Sequence, residues 1–187
     1  MKLLACPKCH QQLHLENKTL KCENNHCYDI SKRGYINLLL NPDKATNNPG
    51  DSKESLVARK AYLNKGYYDP ILNQVITCID EFKHQDDLSI LDLGCGEGYY
   101  TQGLKKHFEN SDIYGLDISK IAIDMATRYR KDVTWLVGNS KNIPILDHSL
   151  DFICALFTVV NQDELKRALK EDGYIVHVTA NNQHLIE

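Results

Sequence analysis

The stretch from residue 90 to residue 101 limits what this chain can fold into more than any other. An apolar run, Ile-Leu-Asp-Leu, leads directly into glycines at every second position, Gly94, Gly96 and Gly98. Because glycine has no Cβ, a strand can turn sharply there and a ligand can lie against the main chain. An acidic residue, Asp117, ends the next apolar run. The pattern predicts a nucleoside-binding turn between a strand and a helix.

Two acidic residues indicate which kind of nucleoside ligand the turn would bind. The dinucleotide fingerprint is G-x-G-x-x-G, whereas this chain has G-x-G-x-G preceded by Asp92. A carboxylate at Asp92 suits a ligand with an ammonium and a sulfonium group better than a pyrophosphate. Asp117 is placed to accept hydrogen bonds from both ribose hydroxyls. The motif favours an S-adenosylmethionine pocket, and the alternative is a tight turn that binds no ligand.

The rest of the chain predicts an α/β fold with a doubly wound parallel sheet. Strand-like runs alternate with helical or loop segments, which is the order of elements in such sheets. Their ligands bind at the carboxyl ends of the strands, where the glycines and Asp117 lie. The expected strands are residues 89–93, 113–117, 133–138, 151–157 and 174–179.

Two helices are expected ahead of the first of these strands. Residues 41–50 are nearly devoid of large apolar groups, which predicts a linker or a loop. Asp51, with Glu54 three residues later, predicts a capped helix that ends at Gly66. Asp69 as N-cap and Pro70 as the first helical residue predict a second helix, whose apolar stripe (residues 72, 75, 76 and 79) is typical of core packing.

The N-terminal segment carries a metal-binding pattern. Cys6 and Cys9 are followed, after twelve intervening residues, by Cys22 and then His26, the ligand set of a structural zinc site. Residues 1–30 are too few to bury a core alone, so a metal is expected to stabilise them. Cys27 offers a rival fourth ligand. An odd total of seven cysteines also favours metal ligation in a reducing compartment over disulfides.

Composition and charge narrow the class of protein. The 187 residues are 42% hydrophobic and 25% charged, as in globular proteins, and no apolar run is long enough to cross a bilayer. The first residues lack the apolar core of a signal peptide, so a cytoplasmic location is expected. Residues 1–66 hold eleven Lys and Arg against six acids, and the remainder holds eleven against nineteen. The basic third predicts either an anionic partner or simply a solvated surface.

The chain resembles one family over residues 6 to about 185, the large-subunit (23S) ribosomal RNA guanine-N1 methyltransferases. The resemblance lies in the N-terminal cysteine and histidine pattern, the segment at residues 48–70 and the glycine motif. The resemblance implies S-adenosylmethionine as cofactor, a structural zinc ion and ribosomal RNA as partner. It places the zinc ligands at Cys6, Cys9, Cys22 and His26. It places cofactor contacts at Tyr68, Gly96, Glu97 and His184.

The resemblance also implies an organisation of the chain. The expected division is a zinc ribbon at residues 1–30, a linker with two helices at 31–83, and an S-adenosylmethionine-binding Rossmann-like domain at 84–187. Family members continue into an antiparallel pair that completes a seven-stranded sheet, so a C-terminally short domain with five strands is expected. Its last strand would be an exposed edge, which a homodimer would cover. Residues 156–161 also lack a proline that the family carries after the fourth strand.

The activity implied by the resemblance is methylation of guanine N1 in a ribosomal RNA hairpin. Because N1 bears a proton, a base is expected near the target nucleotide. Asp147, His148 and Asn161 are candidates that spacing does not rank, so no catalytic residue is assigned. The alternatives are a small-molecule methyltransferase and an inactive protein that binds S-adenosylmethionine or RNA. The residues expected to grip RNA phosphates are Lys32, Arg33, Lys44, Lys53, Arg59, Lys60 and Lys65.

Overall fold

The computed structural model describes residues 1–40 and 50–181, which form a small antiparallel sheet and a larger parallel sheet with helices. The strands are β1 (His14–Glu16), β2 (Thr19–Lys21), β3 (Cys27–Asp29), β4 (Ile36–Asn37), β5 (Ser89–Leu93), β6 (Asp112–Asp117), β7 (Thr134–Val137), β8 (Leu150–Leu156) and β9 (Leu169–Val178). The helices are α1 (Lys53–Leu63), α2 (Asp69–Phe82), α3 (Tyr99–His107), α4 (Lys120–Ala126) and α5 (Gln162–Ala168).

The larger sheet confirms the predicted doubly wound fold. Its strand order is β4-β7-β6-β5-β8-β9, and every pairing is parallel. The chain runs outward from β5 through β6 to β7 and then returns to β8 on the other side of β5. The order therefore reverses between β5 and β8, the position at which such sheets bind ligands.

All five expected strands are present, and a sixth was missed. Strand β4 pairs in parallel with β7, with Ile36 opposite Leu136. Two residues are too few to give a detectable alternation of apolar and polar side chains, so the sequence offered no signal for this strand. The division at residues 30 and 83 stays a prediction, although β4 shows that the segment after the ribbon contributes to the sheet.

The two faces of the larger sheet are covered by different parts of the chain. Helices α2, α3 and α4 cover one face, around buried Trp135 and Phe152. The ribbon and α5 cover the other, where Leu4 and Leu20 of the ribbon share a core with Leu91 of β5. The ribbon is therefore a packing layer of the domain, and its buried side chains belong to a core that it shares with the sheet.

Both predicted helix starts are displaced by one residue. Ser52, not Asp51, caps α1, because its hydroxyl accepts the Ser55 N–H at 3.1 Å. Asp69 is already the first residue of α2, and Tyr68 precedes it. Asp51 is thereby available for another contact, described below.

Strand β9 lies at one edge of the larger sheet, as expected, and its residues are mostly half-buried or exposed, including Ile175 at 43%. Within the part of the chain that the structure describes, every helix is too short or too polar to cross a lipid bilayer.

Candidate cofactor and metal sites

Four ligand atoms of the ribbon meet at one point. Those of Cys6, Cys9, Cys22 and His26 lie within 4.8 Å of one another. His26 Nδ1 is 3.4 to 3.5 Å from each of the three sulfurs, and the Cys9 and Cys22 sulfurs are 3.6 Å apart. Tetrahedral zinc with Zn–S bonds of about 2.3 Å separates two sulfurs by about 3.8 Å, so the donor set fits zinc. Cys27 is exposed and lies outside the cluster.

Tight turns aim these ligands. His10 and Asn25 both have positive φ, and their N–H groups donate to the carbonyls of Cys6 and Cys22 at 2.8 and 2.9 Å. The Tyr28 hydroxyl lies 3.3 Å from the Cys6 sulfur, in reach to donate a hydrogen bond to a thiolate there. With four protein ligands and no open position, the cluster is suited to a structural rather than a catalytic metal.

A cleft of about 530 Å³ opens at the carboxyl ends of β5, β6 and β8. Its floor is the glycine loop after β5, and its walls come from α1, the turn before α2 and the residues after β8. The polar and aromatic side chains that line it include Asp51, Arg59, Tyr62, Tyr68, Glu97, Tyr100, Asp117 and Phe157.

The three glycines of the loop are required for different reasons. All have positive φ, which disfavours side chains. A Cβ at Gly96 would enter the open cleft, with its nearest neighbour, Arg59 Nη1, at 3.9 Å. A Cβ at Gly94 would collide with Thr158, and one at Gly98 would lie 2.6 Å from the Trp135 ring. The structure therefore leaves room for a ligand at Gly96, whereas protein packing requires the other two, and Gly98 does not line the cleft.

Asp117 fixes the loop that it faces. One carboxylate oxygen accepts the Gly96 N–H at 2.9 Å and the other accepts the Ser119 N–H at 2.7 Å. Burial raises the pKa of Asp117, while these two N–H groups and the charge of Arg59 act in the opposite direction. Each oxygen keeps a second acceptor site, so the carboxylate can also accept hydrogen bonds from ribose hydroxyls. That role of Asp117 stays a prediction.

Asp92 lies behind the loop rather than in the cleft. Its side chain is 1% exposed and accepts a hydrogen bond from the Thr101 hydroxyl at 2.5 Å. Burial raises the pKa of Asp92 to about 7. Its predicted role toward the cofactor stays a prediction, and this position allows an effect through the loop rather than a direct contact.

Two buried polar atoms beside the cleft show that the site suits a ligand. Glu97 Oε1 and the Tyr100 hydroxyl have no hydrogen-bond partner among the described residues. Glu97 is 3% exposed, and burial raises its pKa. A buried polar atom without a partner destabilises the protein by about 1–3 kcal/mol. A hydrogen-bond donor or a cation of a bound ligand would remove this cost. The cationic groups of S-adenosylmethionine fit this requirement.

Aromatic side chains form the mouth of the cleft. Tyr68, named by the resemblance, lies 6.0 Å between ring centroids from Tyr62 on one side and from Phe157 on the other. Phe157 is 41% exposed and has a φ of 56°, a rare conformation for a bulky residue that often marks a functional site. Sequence analysis missed Phe157 because nothing in the apolar run 152–160 separates it from the core residues. His184 lies outside the described residues.

Arg59 has a position that its place in a basic segment did not indicate. It was expected to grip RNA, but the structure places it in the cleft wall, where Arg59 Nη2 lies 2.8 Å from Asp51 Oδ2. Its neighbour Lys60 points elsewhere, with Nζ 3.4 Å from the centre of the Tyr129 ring.

The three candidate bases have structural partners away from the cleft. Asp147 forms an ion pair with Arg167 at 2.6 Å, and the His148 ring lies 3.1 Å from the Leu169 carbonyl. Asn161 caps α5 by accepting the Glu164 N–H at 3.1 Å. None of the three lines the cleft, so the structure does not advance any of them as the base.

Comparison with family models separates the same two parts of the chain. A zinc-ribbon model described as "RlmA, N-terminal" matches residues 4–45, and a model described as "Methyltransferase domain" matches residues 90–173. The solved structure of the plantazolicin methyltransferase BpumL is similar to this chain with a TM-score of 0.56 and 20% identity, over 70% of this chain and 55% of that one. These matches confirm the methyltransferase fold and the ribbon.

Two curated relatives are similar along nearly the whole chain. The 23S rRNA (guanine(748)-N(1))-methyltransferase of Streptomyces fradiae is 29% identical over 100% of this chain and 66% of its own length. The Bacillus subtilis protein called "Putative 23S rRNA (guanine-N(1)-)-methyltransferase YxjB" is 30% identical over 99% of this chain and 67% of its own length. This chain spans about two thirds of the length of either relative. It belongs to the S-adenosylmethionine-dependent 23S rRNA guanine-N1 methyltransferase family that carries an N-terminal zinc ribbon.

Proposed function

We propose that this chain methylates N1 of a guanine in large-subunit ribosomal RNA. The observation that carries the proposal is a cleft with a nucleoside-type floor, formed by Gly96 and Asp117, and an aromatic mouth that includes Tyr68 and Phe157. One ligand can lie on the floor while a base enters at the mouth. The relatives named for this activity match both the ribbon and the parallel sheet.

S-adenosylmethionine would supply an electrophilic methyl group on a sulfonium. The protein then has mainly to hold and orient the two reactants and exclude water. Gly96 makes room for the nucleoside, and Asp117 would accept the ribose hydroxyls while it holds the Gly96 N–H. Glu97 would place negative charge beside the cationic part of the cofactor, which favours its ionised form.

The aromatic mouth supports a nucleobase as the acceptor. A guanine inside a stem is not accessible at N1 and must leave the stack, at a free-energy cost of a few kcal/mol. Stacking on an aromatic ring returns about 1–3 kcal/mol per base. Phe157 presents a partly exposed ring at the carboxyl end of β8, next to the cofactor floor, and the Tyr68 ring contacts it edge to face. A guanine stacked on Phe157 would have its edge close to the cleft.

The basic N-terminal third supports RNA as the macromolecule that carries the guanine. Two of the basic residues expected there to grip RNA are paired within the protein, Arg33 with Asp124 at 2.7 Å and Arg59 with Asp51 at 2.8 Å. Exposed Lys53 and Lys65 remain suited to phosphate contacts. Lys44 lies outside the described residues. Ribosomal RNA as substrate also supports a cytoplasmic location, which is part of the proposal.

The decisive experiment is methyl transfer to unmodified 23S rRNA. A labelled methyl group should appear on one guanine, and reverse transcription should stop there because N1 methylation blocks the base-pairing edge. An RNA fragment that spans position 748, the guanine in the name of the Streptomyces fradiae relative, is the first substrate to test. The Gly96→Val variant is the inactive control, because its side chain would fill the space of the nucleoside.

Other outcomes would replace this function. Methyl transfer to small molecules without RNA would identify a small-molecule methyltransferase. Cofactor binding without transfer to any rRNA would identify an inactive binding protein. A homodimer that covers β9 is a separate proposal, supported by the exposed edge, and light scattering of the purified chain would test it by mass.

A further inference from the structure

We infer that Arg59 binds the carboxylate of S-adenosylmethionine, so that the chain recognises the amino-acid part of the cofactor as well as its nucleoside. The inference rests on the cofactor site of the proposed function and does not depend on the RNA substrate. The inference also changes the expected role of Arg59, because its position within a basic segment suggested contact with RNA phosphates.

The charges of the cleft require such a residue. Asp51, Glu97 and Asp117 all line it, and three carboxylates suit the sulfonium and ammonium groups of the cofactor. The same carboxylates repel the carboxylate that the cofactor also carries. Among the described residues that line the cleft, Arg59 is the only lysine or arginine. It therefore supplies the positive charge that a zwitterionic amino acid needs in an acidic pocket.

The helix directs Arg59 into the cleft. Leu56 and Leu63, three residues before and four after Arg59, are 1% and 8% exposed and form the packed face of α1. Side chains at this spacing share one face of a helix, so Arg59 is on the side that packs against the domain. Lys60 is one residue further round and contacts Tyr129 instead.

The guanidinium reaches the open side of the glycine loop. Arg59 Nη1 lies 3.9 Å from the position that a Cβ of Gly96 would occupy, which is the side left clear for a ligand. Its charge also acts on both Glu97 and Asp117, favouring their ionised forms. Arg59 is thus close to the glycine loop and to the carboxylates of Glu97 and Asp117.

The existing ion pair does not prevent binding. Arg59 and Asp51 are 50% and 41% exposed in their side chains, and ion pairs of that exposure contribute little to stability. A guanidinium has five N–H donors in a planar fork, so Arg59 can donate two hydrogen bonds to a ligand carboxylate and keep or release Asp51. Asp51 would then hold the side chain ready before the ligand arrives.

The test compares two ligands that differ only in the inferred contact. S-adenosylmethionine and decarboxylated S-adenosylmethionine share the nucleoside, sulfonium and ammonium groups, and the second lacks the carboxylate. Titration calorimetry on the full chain should show that Arg59→Gln binds S-adenosylmethionine about 10- to 100-fold more weakly, as expected for loss of a hydrogen bond to a charged group. Its affinity for the decarboxylated ligand should stay within about two-fold, or rise, because a repelling cation has been removed.

Two further variants complete the experiment. Arg59→Lys keeps the charge and loses the fork, so an intermediate loss for S-adenosylmethionine is expected. Lys106→Gln removes an exposed charge from the last turn of α3, outside the cleft, and should change neither affinity. Retained binding of the decarboxylated ligand also shows that each variant is folded.

Three results would overturn the inference. Arg59→Gln could weaken both ligands equally, which would show that the carboxylate is not the group that is recognised. It could weaken neither, and reduce only RNA affinity and its salt dependence, which would restore the phosphate contact expected from the sequence. If the unaltered chain bound neither ligand, the cofactor site itself would fail, and that result is seen before any variant is made.

Discussion

Leu4 of the zinc ribbon pairs with Ile145 of the parallel-sheet domain in an antiparallel bridge, and both side chains are completely buried. Backbone hydrogen bonds continue the contact on each side, from Ala5 N–H to the Pro144 carbonyl at 3.0 Å and from Leu146 N–H to the Leu3 carbonyl at 2.9 Å. These contacts predict that the ribbon and the sheet unfold together as one cooperative unit.

Zinc removal should destabilise the whole chain and not the ribbon alone. Without metal, the Cys6, Cys9, Cys22 and His26 cluster loses the bonds that fold it, because metal binding in such modules is itself folding free energy. The ribbon would then uncover its face of the parallel sheet. Metal analysis should give one zinc ion per chain. Thermal unfolding followed by circular dichroism should show that a chelator lowers the unfolding midpoint of the sheet and helix signals together.

The matched variants for this prediction are neighbours in sequence. His26→Ala should lose zinc and stability, whereas Cys27→Ala should lose neither, because Cys27 is exposed and outside the cluster. The reverse ranking would move the fourth ligand to Cys27. A chelated chain whose sheet melts at an unchanged temperature would show that the shared core does not couple the two parts.

Two glycines of one loop should fail in different ways when replaced by alanine. Gly96→Ala places a methyl group in the open cleft, so cofactor binding should fall sharply while the fold survives with a loss of about 1–2 kcal/mol from its positive φ. Gly98→Ala would place its Cβ 2.6 Å from the Trp135 ring, so loss of stability should dominate. Thermal melts and calorimetry with S-adenosylhomocysteine measure both properties, and equal melting temperatures for the two variants would refute the distinction.

The motif predicted the position of the cleft, but not the different neighbours of its glycines. Spacing alone placed Gly96 and Asp117 at the carboxyl ends of adjacent strands, since parallel strands end at the same edge of a sheet. The roles of Gly98 and Arg59 depend on Trp135 and Asp51, which are 37 and 8 residues away in the chain, and no local pattern reports such contacts. Tertiary neighbours were therefore the missing information.

Asp92 should make the free energy of unfolding fall as pH rises toward neutrality. Burial, with smaller contributions from the charges of Asp117 and Glu97, raises its pKa from the ordinary 3.8 to about 7, so the folded chain keeps a proton that the unfolded chain loses near pH 4. Stability contributed by this proton is complete below about pH 4 and is lost as pH rises to about 7. Asp92→Asn removes this titration. The free energy of unfolding of the variant, relative to that of the unaltered chain, should therefore be higher at pH 8 than at pH 5. Urea unfolding at several pH values measures the difference, and parallel curves for the two chains would contradict it.

Phe157→Leu should impair RNA methylation without weakening cofactor binding. The substitution keeps an apolar side chain but removes the flat ring on which a flipped guanine would stack, and such a contact is worth about 1–3 kcal/mol per base. We expect a loss of about 5- to 100-fold in kcat/KM for the RNA, with S-adenosylhomocysteine affinity within about two-fold in calorimetry. Phe157→Tyr, which keeps the ring, should retain most of the activity. Val159→Ala, an exposed change in the same loop at a side chain that is 81% accessible, is the control and should behave like the unaltered chain. Equal losses for the leucine and tyrosine variants would show that the loop conformation at φ 56°, rather than the ring, is what the reaction needs.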